Sequence, residues 1–292
     1  MRIGALEAGG TKMVLGIFDE EGHLLEDTRF PTRPPAENIP EIIAFFQSRG
    51  IESLGIGTFG PVNLKKDSPE YGTITATPKL DWRNYPILSA LRDALGVPCA
   101  IDTDVNAAAL AECRLGAARG CENAVYVTVG TGIGAGVCVG GRPVHGLMHP
   151  EVGHMLLKPN PKDPLPQGIC PYHESCLEGL ASGPAISKRA GVSAEKLTDG
   201  DPAFTLEGEY LAQMCVNLIM TVSPEKIVIG GGVMEREFLL DLVRKETVRL
   251  LGGYIQAPEV TARIDSYIVL PELYPISGLI GAWLLGRDAG EK

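Results

Sequence analysis

One arrangement recurs in this chain and constrains it more than any other: an apolar strand, a tight glycine-threonine turn, and a second apolar strand. The first copy is Ile3-Gly-Ala-Leu-Glu-Ala-Gly-Gly-Thr-Lys-Met-Val-Leu-Gly-Ile-Phe18, and the second is Ala124-Val-Tyr-Val-Thr-Val-Gly-Thr-Gly-Ile-Gly-Ala-Gly-Val-Cys-Val139. Gly9, Gly10, Gly130, Gly132 and Gly134 let the backbone approach a ligand closely or take a positive φ, while Thr11 and Thr131 offer hydroxyls. Backbone N–H groups lining such turns form concavities that suit phosphate oxygens. Two of them in one chain suggest two similar lobes gripping one nucleotide.

At 292 residues the chain is long enough for two domains, each with its own core. No apolar run is long enough to span a membrane, and the N-terminus enters a strand with no signal-peptide pattern, so the expected compartment is the cytoplasm. A net charge of −10 argues against a nucleic-acid surface, which needs a basic face. The same charge means that a polyphosphate must be held by backbone amides, a few local cations and a divalent metal. Seven cysteines, an odd number, do not read as a disulfide framework. Cys99, Cys113, Cys121, Cys138 and Cys215 lie in apolar stretches and are expected as buried thiols. Cys170 and Cys176 lie in a different setting.

Apolar spacing predicts a helix over 37–48, a strand over 53–58 and an extended loop over 63–85 carrying Thr77-Pro-Lys79 and Trp82. A helix over 86–95 is stopped by Gly96 and Pro98, a strand follows over 99–102, and an alanine-rich helix over 105–118. Beyond the second hairpin, 158–176 reads as loop, and helices are expected over 178–189, 203–222 and 235–251. Lys226-Ile-Val-Ile229 is a buried strand feeding Gly230-Gly-Gly232, with a last strand over 266–270 and a closing helix over 276–285. Strands alternating with helices make the class α/β.

Glycine-rich turns also close ordinary hairpins, but two of them plus Gly230-Gly-Gly232 before a helix favour a nucleotide site. Gly130-Thr-Gly132-Ile-Gly-Ala135 fits a loose dinucleotide fingerprint that should open a helix, yet Gly136-Val-Cys-Val139 continues as strand. No Gly-x-x-x-x-Gly-Lys-Ser/Thr loop exists either, so a hairpin-type cleft fits best. Asp104 stands between a buried strand and a helix in Ile101-Asp-Thr-Asp-Val-Asn106. Local sequence leaves two roles open there: capping by Asp102, Thr103 or Asp104, or a carboxylate that accepts a proton from an attacking hydroxyl.

Cys170, His173 and Cys176 form a compact array in a Pro/Gly-rich loop, and His154 would complete a tetrahedral Cys₂His₂ zinc site. Such a loop buries little apolar surface, so a metal would supply its ordering free energy; four protein ligands make the site structural. Glu151 and Glu178 flank it, either as solvated carboxylates or as acceptors for substrate hydroxyls fixed by the metal. His23, His145 and His149 lack comparable context and carry no assignment.

These residues resemble the ROK sugar kinases, most closely the zinc-containing bacterial fructokinase branch. The motifs are Glu7-Ala-Gly-Gly-Thr-Lys12, Thr103-Asp-Val-Asn106, Val129-Gly-Thr-Gly-Ile-Gly-Ala-Gly136, Glu151-Val-Gly-His154, Cys170-Pro-Tyr-His-Glu-Ser-Cys-Leu-Glu178 and Ile229-Gly-Gly-Gly-Val233, in order along essentially the whole chain. The resemblance implies a two-domain actin-like ATPase (ribonuclease H-like) fold with duplicated phosphate-binding β-hairpins. It would close around ATP, Mg²⁺ and a hexose, usually as a homodimer. The lobes would be 1–112 with 277–292 packing back, and 113–276. By this resemblance Asp104 is the general base. Thr103, Lys79, Glu151, His154 and Glu178 face the sugar, with His154 also on Zn²⁺. Gly9, Gly10, Thr11, Lys12, Gly130, Thr131, Gly132, Gly183, Pro184, Gly231 and Gly232 bind the nucleotide, with Thr11, Lys12 and Thr131 facing the phosphates and Gly231 and Gly232 the adenosine. Thr103 stands where the wider family has Asn before the Asp, and Lys79 where Asn often follows Thr-Pro. Both departures resemble the fructokinase branch. The expected activity is ATP-dependent phosphorylation of fructose at its 6-hydroxyl, with another hexose kinase or a ROK-type regulator as alternatives.

Overall fold

A computed structural model describes residues 1–291 of the chain, which divide into two compact units. The first contains Met1–Ala111, Arg142–Pro150 and the C-terminal residues from Ile276; the second contains Glu112–Gly141 and Glu151–Pro275. The short stretch 142–150 groups with the first unit, an excursion that the repeated hairpins do not announce.

In the first unit the strands are β1 (Ile3–Ala8), β2 (Lys12–Phe18), β3 (Leu24–Pro31), β4 (Ser53–Thr58) and β5 (Cys99–Thr103), in the order β3-β2-β1-β4-β5. β1, β4 and β5 run parallel, and β2 and β3 are antiparallel additions at one edge. The helices are α1 (Pro35–Arg49), α2 (Ile87–Leu95), α3 (Asp104–Arg114, whose last turn belongs to the second unit) and α10 (Ser277–Gly290). The excursion opens with a two-residue strand, β8 (Arg142–Pro143).

Side-chain alternation divides this sheet's faces. Leu6, Ala8, Leu54, Ile56 and Ile101 form one core with Ile39, Ile42, Phe46, Leu88 and Leu91 of α1 and α2. Burying each such side chain is worth about 1.5–3 kcal/mol. On the other face α10 lies directly on backbone. A Cβ on Gly55 would fall 1.8 Å from the Ala282 carbonyl oxygen, and one on Gly281 would fall 1.8 Å from that of Ala107. Glycines inside a helix cost about 1 kcal/mol each in propensity; here the close approach they permit offsets it. Trp283 fixes the register of α10, stacking on Phe18 at 5.9 Å and donating its indole N–H to the Asp19 carbonyl at 3.1 Å.

The second unit carries β6 (Ala124–Val129), β7 (Ile133–Val139), β9 (Lys226–Gly230) and β10 (Ile268–Val269) in the order β10-β9-β6-β7. β6 and β7 form the antiparallel hairpin, and β9 and β10 add parallel strands. Its helices are α4 (Leu177–Ala181), α5 (Gly183–Ala190), α6 (Pro202–Thr221), α7 (Phe238–Leu251) and the one-turn α8 (Pro258–Thr261) and α9 (Ile264–Tyr267). Gly208 lets α6 approach α7, a Cβ there falling 2.9 Å from that of Leu242.

Several elements differ from the sequence expectation: β3 was not expected, and α10 runs on to Gly290. The helix expected over 105–118 ends at Arg114, because the Glu112 carboxylate folds back to accept from the Ala117 N–H at 2.8 Å. The helix expected over 178–189 is two helices broken at Ser182, whose hydroxyl caps the second by accepting from Ala185 N–H. The helix expected from 235 begins at Phe238, after a 3₁₀ turn over Gly232–Glu235. Most of the strand expected over 266–270 is helical turn, leaving Ile268–Val269 extended. Cys113, Cys138 and Cys215 are buried as expected, but Cys99 and Cys121 are only half-buried, and all seven cysteines are free thiols. Among the described residues no helix is long and apolar enough to cross a membrane.

Candidate active site

The parallel strands of the first unit end together, and their carboxyl ends are where open α/β sheets place ligands. Glu7, Gly57 and Asp102 are in register across β1, β4 and β5. Gly57 is the opening in this row: a Cβ there would fall 3.1 Å from Ala107 Cβ and 3.3 Å from Asp104 Cα, so its absence lets the first turn of α3 settle on the sheet.

Three residues competed in the sequence to cap α3, and the structure separates them. Thr103 Oγ1 accepts the Asn106 N–H at 3.0 Å and is the cap. Its hydroxyl is thereby occupied in a buried position. Asp102 is buried and tied on both oxygens: Oδ1 accepts from Thr103 N–H (2.8 Å) and Asn106 Nδ2 (2.7 Å), and Oδ2 pairs with His145 Nε2 (2.9 Å). Asp104 is the carboxylate left for chemistry. Its hydrogen bonds are local, from Val105 N–H at 2.9 Å and its own N–H, and burial pushes it up to about 6.

Glu7 lies beside it. Burial and then the Asp104 charge raise Glu7 to about 7, opposed by Lys12 and by the Leu279 backbone N–H. The start of α10 presses on this carboxyl, with the position of a Gly278 Cβ 2.7 Å from Glu7 Cδ. The turn next to it is braced by Gly9 N–H to Lys12 O (2.9 Å), Thr32 N–H to Thr11 O (2.9 Å) and Thr32 Oγ1 to Gly9 O (2.7 Å). Gly10, Thr11 and Lys12 remain exposed. His149, in the excursion, is pushed down by burial and accepts the Val62 N–H on Nε2 at 3.2 Å.

In the second unit, the β6–β7 turn is closed by Gly130 N–H to Gly132 O at 2.9 Å, with Thr131 exposed at its tip. Gly183, at the start of α5, donates its N–H to Gly130 O at 2.8 Å, with Pro184 exposed beside it. Glu178 Oε2 accepts the Ile133 N–H at 2.9 Å and lies 2.6 Å from where a Gly132 Cβ would be. Glu178 is therefore seated on the turn itself. Glu151 is exposed at the start of the 3₁₀ turn Val152–His154, which packs so closely that a Gly153 Cβ would fall 1.9 Å from Ile133 O. None of the glycines in either turn takes a positive φ; they serve as room for neighbouring atoms.

Positive φ appears instead at Gly231, at 92°, where a Cβ would fall 2.4 Å from Val129 O. Gly230 and Gly231 open a cavity of about 270 Å³, walled by Met234, Glu235, Pro271 and Tyr274. Gly232, unlike Gly231, has no neighbour that a Cβ would meet.

The sulfur and ring nitrogen atoms of His154, Cys170, His173 and Cys176 all lie within 4.8 Å of one another. Cys170 Sγ is 3.9 Å from His154 Nδ1 and 3.7 Å from His173 Nδ1, and Cys176 Sγ is 3.8 Å from His154 Nδ1. Tetrahedral zinc with ordinary bond lengths requires sulfur–nitrogen separations of about 3.6 Å. The donor set and its spacing therefore fit a zinc ion. Local backbone holds them in place: Cys176 caps α4, accepting from Gly179 N–H at 3.4 Å, and Ile169 N–H bonds to Gly179 O at 2.9 Å.

Residues 3–289 match the ROK family across nearly the whole chain. The chain belongs to the ROK family. This ROK protein is 41% identical over 297 residues to a fructokinase of Zymomonas mobilis, covering 99% of this chain and 97% of that one. It is 40% identical over 269 residues to a fructokinase of Lactococcus lactis, covering 92% and 90%. Among solved structures it is similar to a ROK hexokinase from Thermus thermophilus, with TM-score 0.77, 30% identity, and 99% and 98% of the two chains covered. A ROK family glucokinase from Streptomyces griseus, solved with glucose and AMPPNP, gives TM-score 0.77 at 27% identity, covering 99% and 100%. The fold is thus the actin-like ATPase fold of ROK sugar kinases, with one phosphate-type hairpin in each unit.

Two residues of this ROK site escaped the sequence reading. Glu7 opens one of the resembling motifs but was given no role of its own, standing as an acid inside an otherwise apolar strand. His145 gave no local signal, because its partner Asp102 is 43 residues away.

Proposed function

We propose that this ROK protein is an ATP-dependent fructokinase. The observation that carries the reading is Asp104: a carboxylate at the carboxyl end of the parallel strands, half-buried, held by local backbone bonds only, and raised to about 6. A base of this kind accepts a proton near neutral pH. The fructokinase relatives, near 40% identical over at least nine-tenths of this chain, support fructose as acceptor.

In the proposed reaction the 6-hydroxyl oxygen of fructose attacks the γ-phosphorus of ATP in line. The bond between that phosphorus and the β–γ bridging oxygen breaks, and ADP leaves with the electron pair. The hydroxyl proton passes to Asp104. The amides of the glycine turns, with the cations around the first, stabilise charge on the transferring group. Gly231 would seat the adenosine in the cavity that it opens with Gly230. Glu7, raised beside Asp104, suits a divalent cation and would hold Mg²⁺, which neutralises phosphate charge when bound. His154, Cys170, His173 and Cys176 would hold one structural Zn²⁺, fixing the loop that carries Glu151 and Glu178 toward sugar hydroxyls. Assembly as a homodimer in the cytoplasm belongs to the same proposal and rests on the resemblance.

A coupled ADP-release assay over fructose, mannose, glucose and N-acetylmannosamine tests the substrate. Fructose should give the highest kcat/KM, and a higher value for glucose would overturn it. Asp104→Asn should lower kcat by about 10²–10⁴-fold with the fold intact. Near-normal turnover in that variant would empty its assigned role.

A further inference from the structure

The resemblance assigned Lys79 to the sugar, and the structure sets the end of its side chain beside the first glycine turn. The position of a Cβ on Gly10 lies 3.6 Å from Lys79 Cε, so the end of the lysine stem rests against the first glycine turn. Its backbone is pinned on both sides. Lys79 N–H donates to the buried Thr77 Oγ1 at 3.3 Å, and its carbonyl accepts the Trp82 N–H at 2.9 Å. Trp82 is buried, set edge-on to Phe59 and Tyr85, and its indole N–H donates to Arg33 O at 2.9 Å. The loop is thus anchored by an aromatic cluster, and the flexible stem of Lys79 reaches out from it.

Among the described residues the Lys79 ammonium has no hydrogen bond or ion pair, although the chain carries a net charge of −10. A half-buried, unpaired cation beside the exposed glycine turn calls for an anion. Lys12 lies in the same turn and already interacts with Glu7. Asp104 stands at the same end of the sheet, since a Cβ on Gly57, in register with Glu7, would lie 3.3 Å from Asp104 Cα. A hydroxyl oxygen that gives its proton to Asp104 therefore attacks a phosphoryl group lying near Gly10.

Resting on the kinase reading, we propose that Lys79 is a catalytic residue on the phosphate side. Its ammonium neutralises the phosphoryl group passing from ATP to the sugar, and it does not bind a hexose hydroxyl. An ammonium there strengthens as charge builds on the equatorial oxygens, so its effect belongs in kcat more than in the KM for sugar.

The test compares Lys79→Met with Lys79→Arg by steady-state kinetics and by tryptophan-fluorescence titration, Trp82 serving as a nearby reporter. Lys79→Met should lower kcat by about 100-fold, the scale of losing one preorganised charge donor. It should weaken binding of fructose 6-phosphate and of inorganic tripolyphosphate by about 10-fold while changing the fructose affinity less than twofold. Lys79→Arg should recover most of both losses. A rise in the KM for fructose at unchanged kcat in Lys79→Met would overturn the proposal and return Lys79 to the sugar. Equal tripolyphosphate affinity in wild type and Lys79→Met would overturn it as well. Failure of the kinase reading appears separately, as absence of hexose-dependent ADP release in wild type. The tripolyphosphate titration then still decides whether Lys79 serves an anion.

Discussion

The carboxylates of Glu7 and Asp104 lie close enough that the charge of Asp104 helps raise Glu7 to about 7, while burial holds Asp104 itself near 6. These two acids, one near the end of β1 and one at the start of α3, form a graded pair: Glu7 is raised further than Asp104, so Asp104 gives up its proton first as pH rises. This ordering sets the pH behaviour of the site.

A base must be ionised to take a proton, so kcat should fall as pH drops through about 6, tenfold per unit below it. Because burial rather than Glu7 raises Asp104, Glu7→Gln should lower activity yet leave the midpoint of this acid limb in place. Rate profiles over pH 4.5–8 for both forms check this. A limb that moved by a full unit in Glu7→Gln would show that the two acids set each other.

Metal analysis should return about one zinc per chain. Removing it with a chelator, or replacing Cys176 by Ser, should lower the melting temperature by about 5 °C or more, since loop 155–178 has little apolar surface to order it otherwise. Fructose binding should weaken by more than ATP binding does. Calorimetry of both ligands on the variant decides this; equal losses would mean that the metal supports the whole second unit and not the loop alone.

Gly231→Ala meets two penalties at once: φ of 92°, which disfavours any side chain, and a Cβ 2.4 Å from Val129 O. Together they should cost about 2–4 kcal/mol. The KM for ATP should rise at least about tenfold with little change for fructose. Gly232→Ala, where a Cβ meets nothing, should be nearly silent, and the two variants measured side by side separate backbone strain from loss of a ligand contact.

Much of the local structure was legible because it follows short-range rules. β4 runs over Ser53–Thr58 as read, and β1 and β2 form the expected hairpin. β3 escaped because it is an edge strand with most of its residues exposed, so no buried face imposes alternation on Leu24–Pro31. The end of α3 was misplaced because Glu112 and Gly116 act together: the carboxylate bends back into space that only glycine leaves, where a Cβ would lie 2.1 Å from Oε2.

By itself the sequence determined that the chain carries two glycine-threonine hairpins, that a His and Cys array follows the second, and that one of three residues where β5 meets α3 caps that helix. Those properties depend on residue type and spacing within some twenty positions. Tertiary structure decided which atoms are used: Thr103 caps, Asp102 is spent on Asn106 and His145, and Asp104 alone is left. It also set Glu7 beside Asp104 and brought the end of Lys79 to Gly10. Each outcome depends on partners far apart in the chain, on burial, and on which hydrogen bonds are already taken, none of which spacing along a chain encodes.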